Sequence, residues 1–382
     1  MQTHDALIRC HVRDSFRVQQ LAGMFGMTLA THSEFAVHAE LPTLDEDWTI
    51  GAIVGPSGSG KSTLAAAAYG AALWRPRPWP RDRAVIDAFP AAVETRDVAG
   101  MLTSVGFSSP PAWLRPFRCL SNGEQFRCEL GRSLLAGGPL VVFDEFTSVV
   151  DRTVAKIGSA AVAKAVRRAK PARRFVAVTC HYDVLDWLQP DWVCDLRTGE
   201  TRRVHLQRPP IRMELRQCGH ELWPLFARHH YLNGELARSA VCFAGLYKRQ
   251  PVAFVGVMPV VGYRGKRRVS RCVVLPDWQG VGVGRAVLSA VGDLYQAYGL
   301  TLFLRTGHAG MIAGLQRDAR WRIGGICRAG TSPDGNVAHE SIVRADGRRL
   351  MPQTHRAVDR PSVGFRYVGA GRKIADIADG RR

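Results

Sequence analysis

The sequence predicts an α/β chain of two consecutive domains, and three stretches carry that prediction. Thr49-Ile50-Gly51-Ala52-Ile53-Val54 is an apolar strand that runs into Gly55-Pro56-Ser57-Gly58-Ser59-Gly60-Lys61-Ser62-Thr63 and then an alanine-rich helix. Leu140-Val141-Val142-Phe143 is a second apolar strand, ending in Asp144-Glu145. Arg271-Cys272-Val273-Val274-Leu275-Pro276 is a third, followed by the glycine-rich Gln279-Gly280-Val281-Gly282-Val283-Gly284-Arg285 and a helix with Val287, Leu288, Val291, Leu294 and Tyr295 at helical spacing. A length of 382 residues suits two cores of ordinary size.

The first glycine loop fits G-x-x-x-x-G-K-S. Its glycines let backbone N–H groups turn toward phosphates at a helix N-terminus. In such a loop Lys61 reaches the β- and γ-phosphates, and Ser62 is placed to hold Mg²⁺. Asp144 would complete the metal site and Glu145 would polarise the attacking water.

Between these motifs stands Leu120-Ser121-Asn122-Gly123-Glu124-Gln125. Phosphate loop, this hexapeptide and the acidic strand end, in that order, resemble the nucleotide-binding domain of ABC ATPases. The resemblance extends to Ser148-Val149-Val150-Asp151, at the position of the D-loop, and to Val176-Ala177-Val178-Thr179-Cys180-His181, a strand ending in a histidine like the family's switch histidine. It implies that Gly55, Ser57, Gly58, Gly60, Lys61, Ser62, Thr63 and Asp151 contact ATP. It also implies that Ser121 and Gly123 bind the γ-phosphate held by an opposing subunit, hence an ATP-dependent homodimer. Two departures separate the chain from a transporter subunit. Only 56 residues, 64–119, precede the signature, and none of them is glutamine, so the Q-loop residue is absent. Asp87, after Ala84-Val85-Ile86, is the candidate replacement as a metal or water ligand. Phe16, Phe25 and Phe35 are candidates for the adenine-stacking aromatic.

The second glycine loop has different surroundings. Val274, Pro276, Gln279, Gly282 and Gly284 match V-x-P-x-x-Q/R-x-x-G-x-G, so this half resembles the GNAT acyltransferases. The resemblance implies an α+β GNAT fold that binds acetyl-CoA or another acyl-CoA, with Val274, Gln279, Gly280, Gly282, Gly284 and Arg285 around the pyrophosphate. The full architecture is then a P-loop ABC-type ATPase domain over 1–205, a linker at 206–210 and a GNAT-like domain over 211–382. In that domain Ile211 to Leu215 reads as the first strand and Leu222 to Leu232 as the first helix region. Val241–Tyr247 and Val252–Val257 read as a hairpin, Leu300–Leu304 as a strand and His308 to Leu315 as the last helix region. Ser341-Ile342-Val343 and Gly364–Val368 read as closing strands. The strand before the loop carries no carboxylate, which leaves His230, Tyr231 and His308 as candidate catalytic groups beside His229. Cys218, His220, His229 and His230 lack the paired spacing of a zinc site.

Charge is uneven. Residues 1–205 hold 24 Lys+Arg against 21 Asp+Glu, whereas 206–382 hold 28 against 12. Arg264, Lys266, Arg267, Arg268 and Arg271 lead into the third strand, and such a patch attracts polyanions. Arg228-His229-His230-Tyr231 and Gly307-His308 further resemble the Mom-type branch of GNAT proteins, which modify adenine in DNA. The expected partner is nucleic acid, DNA first, and the expected substrate a base amine. An N-acyltransferase for a protein or small-molecule amine, and a DNA-clamping ATPase whose second domain only binds, are the alternatives. No apolar run reaches the ~18 residues of a membrane helix. Nine scattered cysteines without a C-x-x-C pair point to reduced thiols in the cytoplasm.

Overall fold

The structure, a computed structural model, describes residues 1–230, 235–327 and 362–370. The chain divides into two compact units, one of Met1–Phe107 with Trp113–Pro210, the other of Ser108–Ala112 with Ile211–Arg382.

The first unit opens with a long antiparallel hairpin, β1 (Gln2–His11) and β2 (His32–Leu41), carrying helix α1 (Phe16–Phe25) at its turn. Ser15 caps α1 and Gly26 ends it in the left-handed region. Next along the chain come β3 (Ile50–Val54), α2 (Lys61–Tyr69), α3 (Thr95–Ser104), the single turn α4 (Pro110–Trp113), most of which belongs to the second unit, and α5 (Asn122–Ala136). The remainder is β4 (Leu140–Phe143), α6 (Arg152–Arg167), β5 (Arg174–Thr179), α7 (Leu185–Leu188), β6 (Trp192–Asp195) and β7 (Glu200–Arg203).

The sheet order is β4-β5-β3-β6-β7, parallel except for β7. Its central strands are apolar at every position because both faces are covered. Ile50, Ala52, Val54, Val141, Phe143, Phe175 and Ala177 face one core with α5 and α6 residues such as Leu130, Leu134 and Val162. Ile53, Val142, Val176 and Val178 face the other, with Leu64 and Ala65 of α2 and with Val37, Ala39 and Leu41 of the hairpin. Period-two alternation thus sends neighbouring residues into different cores. Since β5 lies between β3 and β4, the ends of all three strands converge on one edge.

The second unit contains β8 (Glu214–Cys218), α8 (Trp223–Ala227), β9 (Val241–Tyr247), β10 (Gln250–Val260), β11 (Tyr263–Val274), α9 (Val283–Ala297), β12 (Thr301–Thr306), α10 (Ala309–Gln316), β13 (Trp321–Cys327) and β14 (Ser362–Tyr367). They form one sheet of order β13-β14-β12-β11-β10-β9-β8. The apolar stripe of α9 is buried as its spacing requires, with Val287, Leu288, Val291, Leu294 and Tyr295 all in the interior. The β9–β10 turn is two residues long, and Lys248 and Arg249 both take positive φ (47° and 66°), the twist that suits a tight hairpin.

Several boundaries differ from the sequence expectation. The first strand of this unit begins at Glu214, not Ile211, because pairing of Glu214–Cys218 with Leu246–Cys242 sets its register. The helix expected over 222–232 is the short Trp223–Ala227. The basic lead-in at 264–271 is itself strand: β11 runs twelve residues, and pairing with β10 leaves most of its charged side chains exposed. The strand expected at 364–368 is β14, inserted between β12 and β13, whereas that at 341–343 lies outside the described residues. Among the described residues no helix is long and apolar enough to cross a membrane.

Candidate functional site

In the first unit the glycine loop joins buried β3 to the first turn of α2. Gly60 caps α2 at φ 82° and Gly58 stands at φ 78°, backbone that a side chain resists. Gly55 is closed for another reason: a Cβ there would lie 2.7 Å from Ser59 Oγ. Lys61 is only 9% exposed, and its Nζ donates to the Pro56 carbonyl at 2.6 Å, across the loop. Ser62 Oγ donates to Asp144 Oδ1 at 3.0 Å, although the two are 82 residues apart. The same carboxylate oxygen accepts from the Glu145 amide at 2.9 Å, so it is held from both sides. A hydroxyl and a carboxylate are hard oxygen donors of the kind Mg²⁺ takes.

The turn after β4 is strained. Glu145 and Thr147 both adopt left-handed backbone, φ 51° and 71°, which non-glycine residues rarely do. Ser148 Oγ donates to Glu145 Oε2 at 2.5 Å, and buried Thr147 shares a 3.1 Å hydrogen bond with His181 Nδ1. Burial and the nearby Arg152 guanidinium hold His181 below its ordinary value of 6.5, so the ring is neutral at neutral pH. Lys61, Ser62, Asp144, Glu145 and His181 therefore gather where β3, β4 and β5 end, the edge at which parallel α/β sheets hold ligands. Thr147, which orients His181, carries no sequence motif; its signal is positional, two residues after the acidic pair.

Ser121 caps α5 within a full capping box: its hydroxyl accepts from the Glu124 amide at 3.3 Å, and Glu124 Oε2 accepts from the Ser121 amide at 2.9 Å. Gly123 is short of space, since a Cβ would lie 3.1 Å from Val154. Asp151 caps α6, accepting from Thr153 and Val154 amides at 2.8 and 3.1 Å, which engages one of its carboxylate oxygens. Asp87 is the exposed residue of a short turn, Val85–Ala88, whose Val85 is buried, beside a bridge from Ala84 to Pro116. No hydrogen bond or ion pair joins it to Ser62 or Asp144 among the described residues, so the geometry gives no support to Asp87 as their co-ligand. Of the three upstream aromatics, Phe16 and Phe25 sit on α1 at the hairpin's far end. Phe35 shares the strand face of Val37 and Ala39, which pack on the core, but is itself half exposed.

In the second unit β11 and β12 pair in parallel only from Lys266–Arg268 to Thr301–Phe303. Beyond that point β11 stays with β10 and β12 with β14, so the two strands part. The second glycine loop lies at the open end. Gly280 and Gly282 take φ 85° and 96°, and Gly282 is the N-cap of α9. Gly284 packs so that a Cβ would sit 3.2 Å from both Val274 and Met311. Left-handed glycines and a helix N-terminus thus follow the end of β11 that no longer pairs with β12, an arrangement that suits a pyrophosphate.

The polar groups expected to finish this site are occupied within the protein. Gln279 is 8% exposed; its Oε1 accepts from the Ser108 amide at 2.6 Å, while its Nε2 donates to Ser109 Oγ at 3.1 Å and to the Val274 carbonyl at 2.8 Å. Both ends of its amide thus brace the loop from inside. His308 is the N-cap of α10: Nδ1 accepts from the Met311 amide at 3.2 Å and Nε2 faces the Ser108 carbonyl at 3.4 Å. Burial depresses its pKa. His230 is buried edge-on against Trp223, ring centres 6.0 Å apart. His308 is therefore placed as a helix cap and His230 lies against Trp223, while Tyr231 lies outside the described residues. Arg285 is partly exposed, 3.9 Å from Asp318.

No protein-family model matches this sequence, and no curated protein does. Solved structures similar to it include the ribosomal-protein-S18-alanine N-acetyltransferase from Escherichia coli, at 16% identity and a TM-score of 0.30, covering 42% of this chain and 97% of that one. A Bacillus subtilis acetyltransferase in complex with CoA is 12% identical with a TM-score of 0.29, covering 41% and 99%. An ATP-binding cassette solved as a dimer in a post-hydrolysis state with ADP and Pi is 12% identical with a TM-score of 0.36, covering 53% and 98%.

Proposed function

We propose that this chain is a cytoplasmic ABC-type ATPase joined to a GNAT-type acyltransferase that modifies nucleic acid, with a DNA base amine as the acceptor. One observation carries the reading: each unit ends a strand in a turn of left-handed glycines that caps a helix, at Gly60 and at Gly282. Two phosphate-binding turns in one chain suit two phosphate-bearing ligands.

At the first turn, ATP would lie on the 55–63 loop with Lys61 against its terminal phosphates. Ser62 and Asp144 would hold Mg²⁺, which supplies neutralisation of the charge developing on the phosphates. Glu145 would orient a water whose oxygen forms a bond to the γ-phosphorus as the bond to the bridging oxygen breaks, giving ADP and phosphate. Ser121 and Gly123, at the start of α5, would meet nucleotide held by a second copy of the chain.

At the second turn, the 279–285 loop would hold an acyl-CoA, whose thioester supplies the activated acyl group. The acceptor nitrogen bonds to the acyl carbon, the C–S bond breaks, and the amine's proton ends on the departing thiol. The basic 206–382 stretch, with the exposed turn end of the β10–β11 hairpin, would draw in the polyanion. A second reading, a DNA-clamping ATPase whose second unit only binds, is favoured by the engagement of His230 and His308 in packing and capping.

The test is expression in a host, with a Gly282/Gly284 double variant beside it, followed by digestion of total DNA and RNA to nucleosides for mass spectrometry. A new nucleoside mass that needs the intact loop supports transfer and identifies the group. DNA-stimulated ATP turnover without any new mass supports the clamp. Neither result, from protein that binds acyl-CoA, moves the acceptor to a protein or small-molecule amine.

A further inference from the structure

We infer that the first unit carries its own nucleic-acid surface, an arginine-bearing loop at 74–83 clamped beside the signature helix α5. This inference rests on the nucleic-acid partner proposed above but places the binding on a surface of the ATPase unit. The loop reads Trp74-Arg75-Pro76-Arg77-Pro78-Trp79-Pro80-Arg81-Asp82-Arg83. Prolines at 76, 78 and 80 push Arg75, Arg77 and Trp79 into extended backbone, and residues 74–80 form neither helix nor strand. At polyproline spacing the run from Arg75 to Arg81 spans roughly 19 Å.

The backbone of this loop is fixed from within. Trp74 Nε1 and Trp79 Nε1 each donate to Glu129 of α5 at 2.7 Å. Arg132 pairs with Glu129 at 2.8 Å, lies 3.9 Å over the Trp79 ring and donates to the Arg77 carbonyl at 2.5 Å. Trp79 stacks on Phe117 at 4.5 Å with the planes 2° apart. The second half is tied to the approach to the signature: Arg118 Nε donates to the Arg81 carbonyl at 3.0 Å, and the Val85 amide to the Arg115 carbonyl at 3.0 Å.

Trp74, Trp79 and Glu129 thus face inward while Arg75, Arg77, Arg81, Arg83, Arg115 and Arg118 are all exposed. Among the described residues only Arg118 of the six has a carboxylate partner, the exposed Asp82 at 3.1 Å. A loop whose backbone is already held loses little backbone entropy on binding, and each guanidinium fork can hold a phosphate through two hydrogen bonds. Charge drawn out along a line fits a row of phosphates better than a compact acidic cluster. The occupant is a nucleic-acid backbone.

The experiment uses the full chain and fluorescein-labelled duplex DNA, with anisotropy titrations over a salt series. One variant combines Arg75→Ala, Arg77→Ala, Arg81→Ala and Arg83→Ala; another combines Arg264→Ala, Lys266→Ala and Arg268→Ala in the β10–β11 ribbon. ATP binding by each variant reports folding of the first unit. The loop variant is expected to bind more weakly and to lower the slope of log K against log salt by about 3–4, at roughly 0.9 for each phosphate it no longer neutralises. If it matches the unchanged protein in affinity and slope while the ribbon variant weakens, this inference is overturned and the broader proposal stands. If the unchanged protein does not bind the duplex, both fall. Competition by polyglutamate as strong as by unlabelled DNA overturns the nucleic-acid assignment in favour of an acidic peptide.

Discussion

The two glycine turns are built alike and furnished differently. Both end a strand, and both cap a helix with glycine in the left-handed region, at Gly60 and Gly282. Around Gly60 the polar side chains of neighbouring strand ends point into one place, with the Ser62–Asp144 hydrogen bond tying two motifs together. Around Gly282 the polar side chains are turned inward: Gln279 bonds to Ser108, Ser109 and Val274, and His308 caps its own helix. Among the described residues, the first turn thus gathers ionisable side chains from several strand ends, whereas Gln279 and His308 beside the second are engaged within the fold. An enzyme at the second site would rely on positioning more than on general acid–base groups.

The sharpest way to break that contrast is Glu145→Gln. It should lower ATP turnover roughly 10²–10⁴-fold with ATP affinity preserved, read by phosphate release beside nucleotide binding. Retained turnover would remove Glu145 from the chemistry and bring the two sites closer in kind. Next in size is Gly282→Ala, which forces a Cβ onto backbone at φ 96° at a cost of about 1–2 kcal/mol. CoA affinity by calorimetry should fall about tenfold with ATP turnover unchanged; intact affinity would sink the second loop as a pyrophosphate site.

Ser121 separates structure from function within the first site. Ser121→Ala should cost about 1 kcal/mol in urea unfolding through loss of the cap, while Ser121→Asp keeps a capping oxygen and stability. The aspartate nevertheless adds negative charge at the start of α5, so ATP-dependent dimerisation, followed by light scattering, should disappear. Dimerisation that survives the aspartate would refute the shared-nucleotide arrangement.

The smallest effect concerns pH. His308 and His181 both titrate below the ordinary 6.5 in the folded chain, chiefly through burial. As pH falls through 6.5 the unfolded chain takes up protons first, so their contribution to stability is present above 6.5 and lost below it. His308→Asn keeps a capping acceptor without the titrating ring. Urea midpoints measured downward from neutrality should fall less steeply for the variant, and an identical fall would remove His308 as a source.

Much of the first site is legible in the sequence because its residues are dictated locally. A strand that must be buried reads as an unbroken apolar run, and a loop that must turn its amides outward reads as glycine. His181 is found through the strand that precedes it. Asp87 shows the limit of that reading, because a charge in a loop has no local signature of where it ends up. The clamp of Trp74, Trp79, Glu129 and Arg132 is illegible for the same reason, as its partners are about fifty residues apart.

By itself the sequence determined the two α/β units, the positions of both glycine turns and the acidic strand end, all consequences of short-range backbone and burial requirements. Tertiary structure alone decided which ends of β3, β4 and β5 meet, where β11 parts from β12, and which polar groups are free to act. Those outcomes depend on strand order and on side-chain partners far apart in the chain. Gln279 is placed in its motif by the sequence, and only the fold shows that its amide braces the loop against Ser108 and Ser109.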